Sequence, residues 1–187
     1  MRAAIIITNY NMPEAVDAMG KALRANCPDH RLYDFIVVDN ASDIAEPSHH
    51  TLIQLDQNRQ TTGGWLAGYE YAKNIGNGYD AYIFTITSTS IPEQENNIIQ
   101  TLLDTLENNP DAVIVSPALT DESTTTWNHM KKQGRKHVRE VPFVDNLFCA
   151  YRAEWYDKNP FDPSFVYAWG TDFEQCYKAR LEDRKIL

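Results

Sequence analysis

The chain has 187 residues, 43% hydrophobic and 23% charged, a length and balance that suit one soluble globular domain and exclude a disordered polymer. Its formal net charge of -9 excludes general nucleic-acid binding, which needs a basic footprint. Cys27, Cys149 and Cys176 form no C-x-x-C pair, so a disulfide framework or zinc-thiolate site is not expected and a reducing compartment is.

Ala3 to Thr8 is a continuous apolar run, as in a strand buried on both faces, and is too short for a signal peptide. Nowhere does the chain approach the roughly 20 apolar residues of a transmembrane segment. Pro13 then opens a helix with Val16, Met19 and Leu23 on its inner face. "DFIVVDNAS" (Asp34 to Ser42) predicts a second buried strand and "TLIQLD" (Thr51 to Asp56) a third. A helix from Gly63 carries Trp65, Tyr69 and Ala72, and "NIGNG" stops it. Ala81 to Ile86 is a fourth strand. Pro92 precedes a helix with Ile98, Ile99, Leu102, Leu103 and Leu106 inside. Ala112 to Ser116 is a fifth strand, Thr120 to Glu140 a polar loop, Pro142 to Tyr151 a further strand, and Thr171 to Asp183 a final helix. Strand-helix alternation predicts a single α/β domain, residues 1-187, with a mostly parallel sheet and right-handed crossovers.

Ligands of such sheets bind beyond the carboxyl ends of the strands. Three of those ends are polar: "TNYN" (Thr8 to Asn11), "DNAS" (Asp39 to Ser42) and "TSTS" (Thr87 to Ser90). Asp39 is placed to accept from a base N–H or a ribose hydroxyl, or to close a turn with Asn40. Gly63 and Gly64 leave backbone amides open to a diphosphate at a helix start, or serve a tight turn. Thr171 and Glu174 have the T-x-x-E spacing of a capping box. Asp172 then falls in the first helical turn, where the dipole favours a negative charge; facing a cleft, it would be a general base. Tyr167, Trp169 and Phe173 flank it. Lys131, Lys132, Arg135, Lys136 and Arg139 make a basic loop on an acidic chain. The histidines at 30, 49, 50, 129 and 137 form no metal pattern with carboxylates, and His49-His50 reads as an ordinary turn.

Taken together, these segments resemble the family 2 glycosyltransferases of the GT-A fold, in the rhamnosyl- and galactofuranosyl-transferase-like branch. "AIIITNYN" (Ala4 to Asn11) is similar to that family's first strand, "IVVDNASD" (Ile36 to Asp43) to its second, "NRQTTGGWLAG" (Asn58 to Gly68) to its N-x-G-x-x-G-G-x-x-x-G loop without the central glycine, and "FDPSFVYAWGTDFEQCYKAR" (Phe161 to Arg180) to its F-D-x-x-F…E-D-x-D-L…R-A-R segment. The resemblance implies inverting transfer of a sugar from a UDP- or dTDP-sugar to a saccharide or other hydroxyl acceptor, in polysaccharide biosynthesis in the cytoplasm. Residues 1-118 would hold the donor and 119-187 the acceptor. Thr8, Asn9, Tyr10, Asp39, Asn40, Gly63 and Gly64 would lie on the nucleotide-sugar, Trp169, Gly170 and Thr171 on the acceptor side, and Asp172 would be the base. The family's Mg²⁺- or Mn²⁺-binding aspartates align with Thr87, Ser88 and Thr89. Hydroxyls are poor ligands for these ions, so the resemblance implies a transferase independent of a metal or weakly dependent on one, with Thr87 to Ser90, the two glycines and the basic loop holding the diphosphate. A domain that binds nucleotide-sugar or glycan without turnover, and a fold-only interaction module, remain open alternatives.

Overall fold

The computed structural model describes residues 1-92, 97-134 and 137-187. Of the basic loop, Arg135 and Lys136 lie outside the described residues. Seven strands form one sheet in the order β3-β2-β1-β4-β6-β5-β7. Strands β1 (Ala3–Asn9), β2 (Tyr33–Asp39), β3 (Thr51–Gln54) and β4 (Ala81–Ile86) run parallel. Strand β6 (Phe148–Arg152) is antiparallel to β4 and to β5 (Ala112–Val115), and a short β7 (Lys185–Ile186), not expected from the sequence, pairs parallel with β5.

The pleat divides the continuous apolar strands between two cores. From β1, Ala4 and Ile6 join Trp65, Tyr69 and Ala72 of α2 (Gln60–Asn74) on one face. Ala3, Ile5 and Ile7 meet Val16, Met19 and Leu23 of α1 (Pro13–Asn26) and Ile99, Leu102, Leu103 and Leu106 of α3 (Ile98–Asn108) on the other. Each fully buried Val, Leu, Ile or Met side chain among these contributes about 1.5–3 kcal/mol relative to exposure. Two shorter helices, α4 (Ala153–Tyr156) and α5 (Thr171–Leu181), complete the α2 side.

Three local expectations are corrected. Helix α2 starts at Gln60, three residues before the glycine pair, because Asn40, just past the end of β2, stitches its entrance: Asn40 Oδ1 accepts from the Arg59 amide at 2.8 Å, and Asn40 Nδ2 donates to Asn58 Oδ1 at 2.9 Å. The strand expected from Pro142 forms only at Phe148, since the Leu147 amide bonds the Asp145 carbonyl at 2.8 Å and folds residues 145-147 into a tight turn. There is no capping box on α5. Gly170, at φ 92°, is the N-cap, and the Thr171 hydroxyl donates backward to the Ala168 carbonyl at 2.7 Å.

Candidate active site

Because β6 is antiparallel, its lead-in reaches the same edge as the carboxyl ends of the parallel strands: Phe148 pairs with Thr85, the penultimate residue of β4. That edge therefore gathers residues 9-11, 39-43, 87-90 and 145-147. The start of α2 is tied to the segment before α5, the Thr62 amide bonding the Val166 carbonyl at 3.3 Å and the buried Thr62 hydroxyl donating to the Phe165 carbonyl.

Several expected donor contacts are turned inward. Asp39 is fully buried and accepts from Asn9 Nδ2 at 3.0 Å, the Ser42 hydroxyl at 2.6 Å and the Ser42 amide at 3.0 Å. These bonds are those of the turn-closing alternative. Asn9 and Asn40 are likewise buried, Asn9 Oδ1 accepting from the Met12 amide at 3.0 Å. Gly63 and Gly64 lie inside α2, where amides bond carbonyls one turn back. A Cβ at Gly64 would collide with the Thr8 side chain, so this glycine serves close helix-strand approach. The Thr8 hydroxyl is itself buried, with no partner among the described residues.

What this edge offers to solvent is Tyr10 and its neighbours. Tyr10 is 42% exposed, and its hydroxyl donates to Asp43 Oδ1 at 3.2 Å. Asn11 Nδ2 donates to the same oxygen at 2.8 Å, while Asn11 Oδ1 accepts from the Asp43 and Ile44 amides at 3.1 and 2.9 Å. Hydrogen bonds from Asn11 and then Tyr10 hold the Asp43 carboxyl below its usual range. Asn11 and Ala41 both take left-handed backbone, φ 58° and 60°.

Thr87, Ser88 and Thr89 form the turn after β4. The Thr87 hydroxyl faces Met12 Sδ at 3.4 Å, the Thr89 hydroxyl donates to the Leu147 carbonyl at 3.0 Å, and Ser88 is exposed. Two of three hydroxyls are engaged and none is a carboxylate, so these residues do not fit a Mg²⁺ or Mn²⁺ ion. Ser88, Thr89 and Ser90 line a cavity of about 760 Å³ whose other walls include Lys132, His137 and Arg139. Arg139 is a clasp within its own loop, its guanidinium donating to the His129 and Lys131 carbonyls.

Asp172 sits half-buried at the start of α5, accepting from the Phe173 amide at 2.9 Å. Burial pushes its carboxyl above the usual range, and the charge of Asp145 adds to that. Asp145 is raised by burial too. The sequence reading gave Asp145 no role; the signal was an acid in "VDN" ahead of an apolar run, masked by assigning that stretch to a strand. Near Asp172, Phe173 stacks on Phe143 at 4.8 Å between centroids, and Trp127 meets Phe143 at 4.8 Å edge-on. Trp169 is 86% exposed beside Tyr167, whereas Thr171 is buried and bonded to Asn146 Nδ2 at 3.3 Å. Of the expected site, then, Tyr10, Ser88 and Trp169 are exposed, Thr8, Gly63, Thr87, Thr89, Gly170 and Asp172 are half-buried, and Asn9, Asp39, Asn40, Gly64 and Thr171 are buried.

A seven-stranded mixed sheet with its polar groups at this edge is the architecture of the GT-A glycosyltransferases. The chain belongs to glycosyl transferase family 2, whose model matches residues 4–170. Among solved structures it is similar to the mannosyltransferase PcManGT from Pyrobaculum calidifontis in complex with GDP-Man and Mn²⁺ (TM-score 0.74, 14% identity, covering 100% of this chain and 54% of that one). It is also similar to S. aureus TarS 1-349 in complex with UDP (TM-score 0.72, 14% identity, 100% and 58%), and to the same protein with UDP-GlcNAc (TM-score 0.62, 13% identity, 87% and 49%). The chain thus spans about half the length of these proteins. No curated protein sequence matches it. Among the described residues, no helix is long and apolar enough to cross a membrane.

Proposed function

We propose that this domain transfers a sugar from a nucleotide-diphospho-sugar to a hydroxyl acceptor with inversion, Asp172 acting as the base. The observation that carries the reading is Asp172 itself: a half-buried carboxylate at the ligand-binding edge, with no salt bridge to a cation among the described residues and its pKa raised by burial. A carboxylate made more basic is better matched to removing a proton from a hydroxyl near neutral pH. In the step, the acceptor oxygen attacks the anomeric carbon and Asp172 takes its proton. The bond from that carbon to the phosphate oxygen breaks, and the nucleoside diphosphate leaves with the electron pair.

The leaving diphosphate needs positive charge. The cavity that faces Ser88, Thr89 and Ser90 toward Lys132 and His137 supports a role for the basic loop. The donor's base and ribose fall to Tyr10 and the 41-43 turn, as the exposed groups there, rather than to the Asp39 carboxylate. Trp169 and Tyr167 supply aromatic faces for a saccharide acceptor. Mn²⁺ accompanies GDP-Man in the PcManGT structure; with hydroxyls at 87-89 this domain works with little or no metal. Residues 1-118 act as the donor half, 119-187 as the acceptor half, and the reaction belongs to cytoplasmic polysaccharide synthesis of the rhamnosyl-/galactofuranosyl-transferase type.

The test is calorimetric titration with UDP-, dTDP- and GDP-sugars, each with EDTA and with Mn²⁺, followed by turnover with a saccharide panel. Donor binding unaffected by EDTA, with turnover that Asp172→Asn lowers at least a hundredfold while donor affinity stays within threefold, is the expected result. Binding only with Mn²⁺ overturns the metal-independent reading. Binding without turnover favours the second reading, a nucleotide-sugar-binding domain without catalysis, to which the loss of carboxylates at 87-89 also points.

A further inference from the structure

The expectation that His49-His50 is an ordinary turn with no carboxylate beside it is corrected on α1, where the fold brings Asp17, more than 30 residues earlier, to the adjacent histidine pair. Asp17 from the second turn of α1 meets His49 and His50 from the turn before β3, and one ligand atom from each lies within 4.8 Å of the others. We propose that Asp17, His49 and His50 form a zinc site that clips α1 to the connection between β2 and β3.

The donor set fits zinc better than the harder ions. Two imidazoles and one carboxylate suit Zn²⁺, while Mg²⁺ and Ca²⁺ prefer oxygen alone. Zinc–ligand bonds of about 2.0–2.2 Å in a tetrahedron place neighbouring ligand atoms roughly 3.4 Å apart. His49 Nδ1 already lies 3.2 Å from Asp17 Oδ1. A water would take the fourth position, since His49 and Asp17 are partly exposed.

The surroundings orient these ligands. The Ser48 hydroxyl donates to Asp17 Oδ1 at 2.5 Å, a support of the kind that fixes metal-binding carboxylates, and it also receives the His50 amide at 3.1 Å. The His50 ring occupies a recess that exists because residue 20 is glycine: a Cβ there would lie 2.7 Å from His50 Nε2. The Phe35 ring meets it edge-on at 5.7 Å. One group opposes a cation here. The Arg24 guanidinium lies 3.5 Å from His50 Nε2, so zinc competes with it.

That competition gives the test a direction. Zinc chloride titrated calorimetrically into the full chain should bind at one equivalent in the micromolar range or tighter. His49→Ala and His50→Ala should each weaken binding at least tenfold, whereas Arg24→Ala should tighten it severalfold. The cobalt(II)-loaded protein should show tetrahedral visible absorption that the double variant lacks. His129→Ala serves as a control and should leave zinc affinity unchanged. Zinc should also raise Tm by a few degrees in the unsubstituted protein and not in the double variant. The proposal is overturned if no zinc binds at 100 micromolar, or if the double variant binds as tightly as the unsubstituted chain. A tie at this point would anchor one end of the 40-50 connection, whose other end forms the edge of the candidate active site.

Discussion

Gln60 takes φ 59° at the entrance of α2, a left-handed conformation that costs a residue with a Cβ about 1–2 kcal/mol. The resemblance aligns Gln60 or Thr61 with the central glycine of the motif, and it is Gln60 that takes the bend a glycine would accommodate. Gln60→Gly should stabilise the fold by about 0.5–1 kcal/mol, after the entropy of a freer unfolded chain is subtracted, raising Tm by roughly 2–4 °C for a chain of this size; an unchanged or lower Tm counts against it. The acid pair permits a second test at this scale. Burial raises the folded-state pKa of Asp145 above its unfolded value. The protonated form therefore favours folding, a contribution present below the unfolded pKa and lost as pH rises through the folded one. Asp145→Asn should be more stable than the parent at pH 7, with the difference vanishing as pH falls below the ordinary carboxylate range of about 4. Removing the Asp145 charge should also let the Asp172 pKa fall, moving the acid limb of the pH–rate profile to lower pH. A limb that stays in place would mean that Asp172 is not the base.

Helix α2 sits unusually close to β1 because two of its glycines, one turn apart, face the strand. A Cβ at Gly68 would strike Ile6 and lie 3.1 Å from Val38 Cγ2, as one at Gly64 would strike Thr8. An exposed helical Gly→Ala change gains about 1 kcal/mol of helix propensity. Gly68→Ala should instead destabilise by about 1–2 kcal/mol net, since overpacking costs 1–3 kcal/mol; denaturant melts decide it, and a stabilised variant would show that α2 can slide. The elements themselves were largely legible in the sequence. Buried parallel strands write themselves as unbroken apolar runs, and α1 and α3 as residues spaced three and four apart. What escaped was set by tertiary contact. The start of α2 depends on Asn40 just past the end of β2, the late start of β6 on the 145-147 turn, and β7 on pairing with β5 across more than 70 residues.

At the scale of the whole molecule, the polar strand ends were readable as a ligand edge, but not which of their groups point outward. Asp39 illustrates why: one residue type in one motif can meet a ligand or close a turn, and only the position of Ser42 and Asn9 around it decides. Nor could spacing bring Asp17 to His49, which needs α1 folded against the edge strand. The same limit bears on charge. The chain carries a net -9, and a nucleotide-sugar is itself an anion, so on the proposed reading the domain's general field would repel the donor while the basic loop would attract it locally. Replacing Lys131, Lys132, Arg135 and Lys136 by Ala removes four positive charges, taking the formal charge from -9 to -13. Arg139 is left intact because its guanidinium braces the loop. At about 20 mM salt the Debye length is roughly 20 Å and both fields reach the donor; at about 300 mM it is under 10 Å and the distant charges drop out. The variant should therefore bind donor at least tenfold more weakly at low salt, and the gap to the parent should narrow but persist at high salt if these side chains touch the diphosphate. A gap that closes completely would make the loop a long-range attractor only. Equal affinity at both salts would remove it from the donor site and leave the hydroxyls of Thr87 to Ser90 to meet the diphosphate without it.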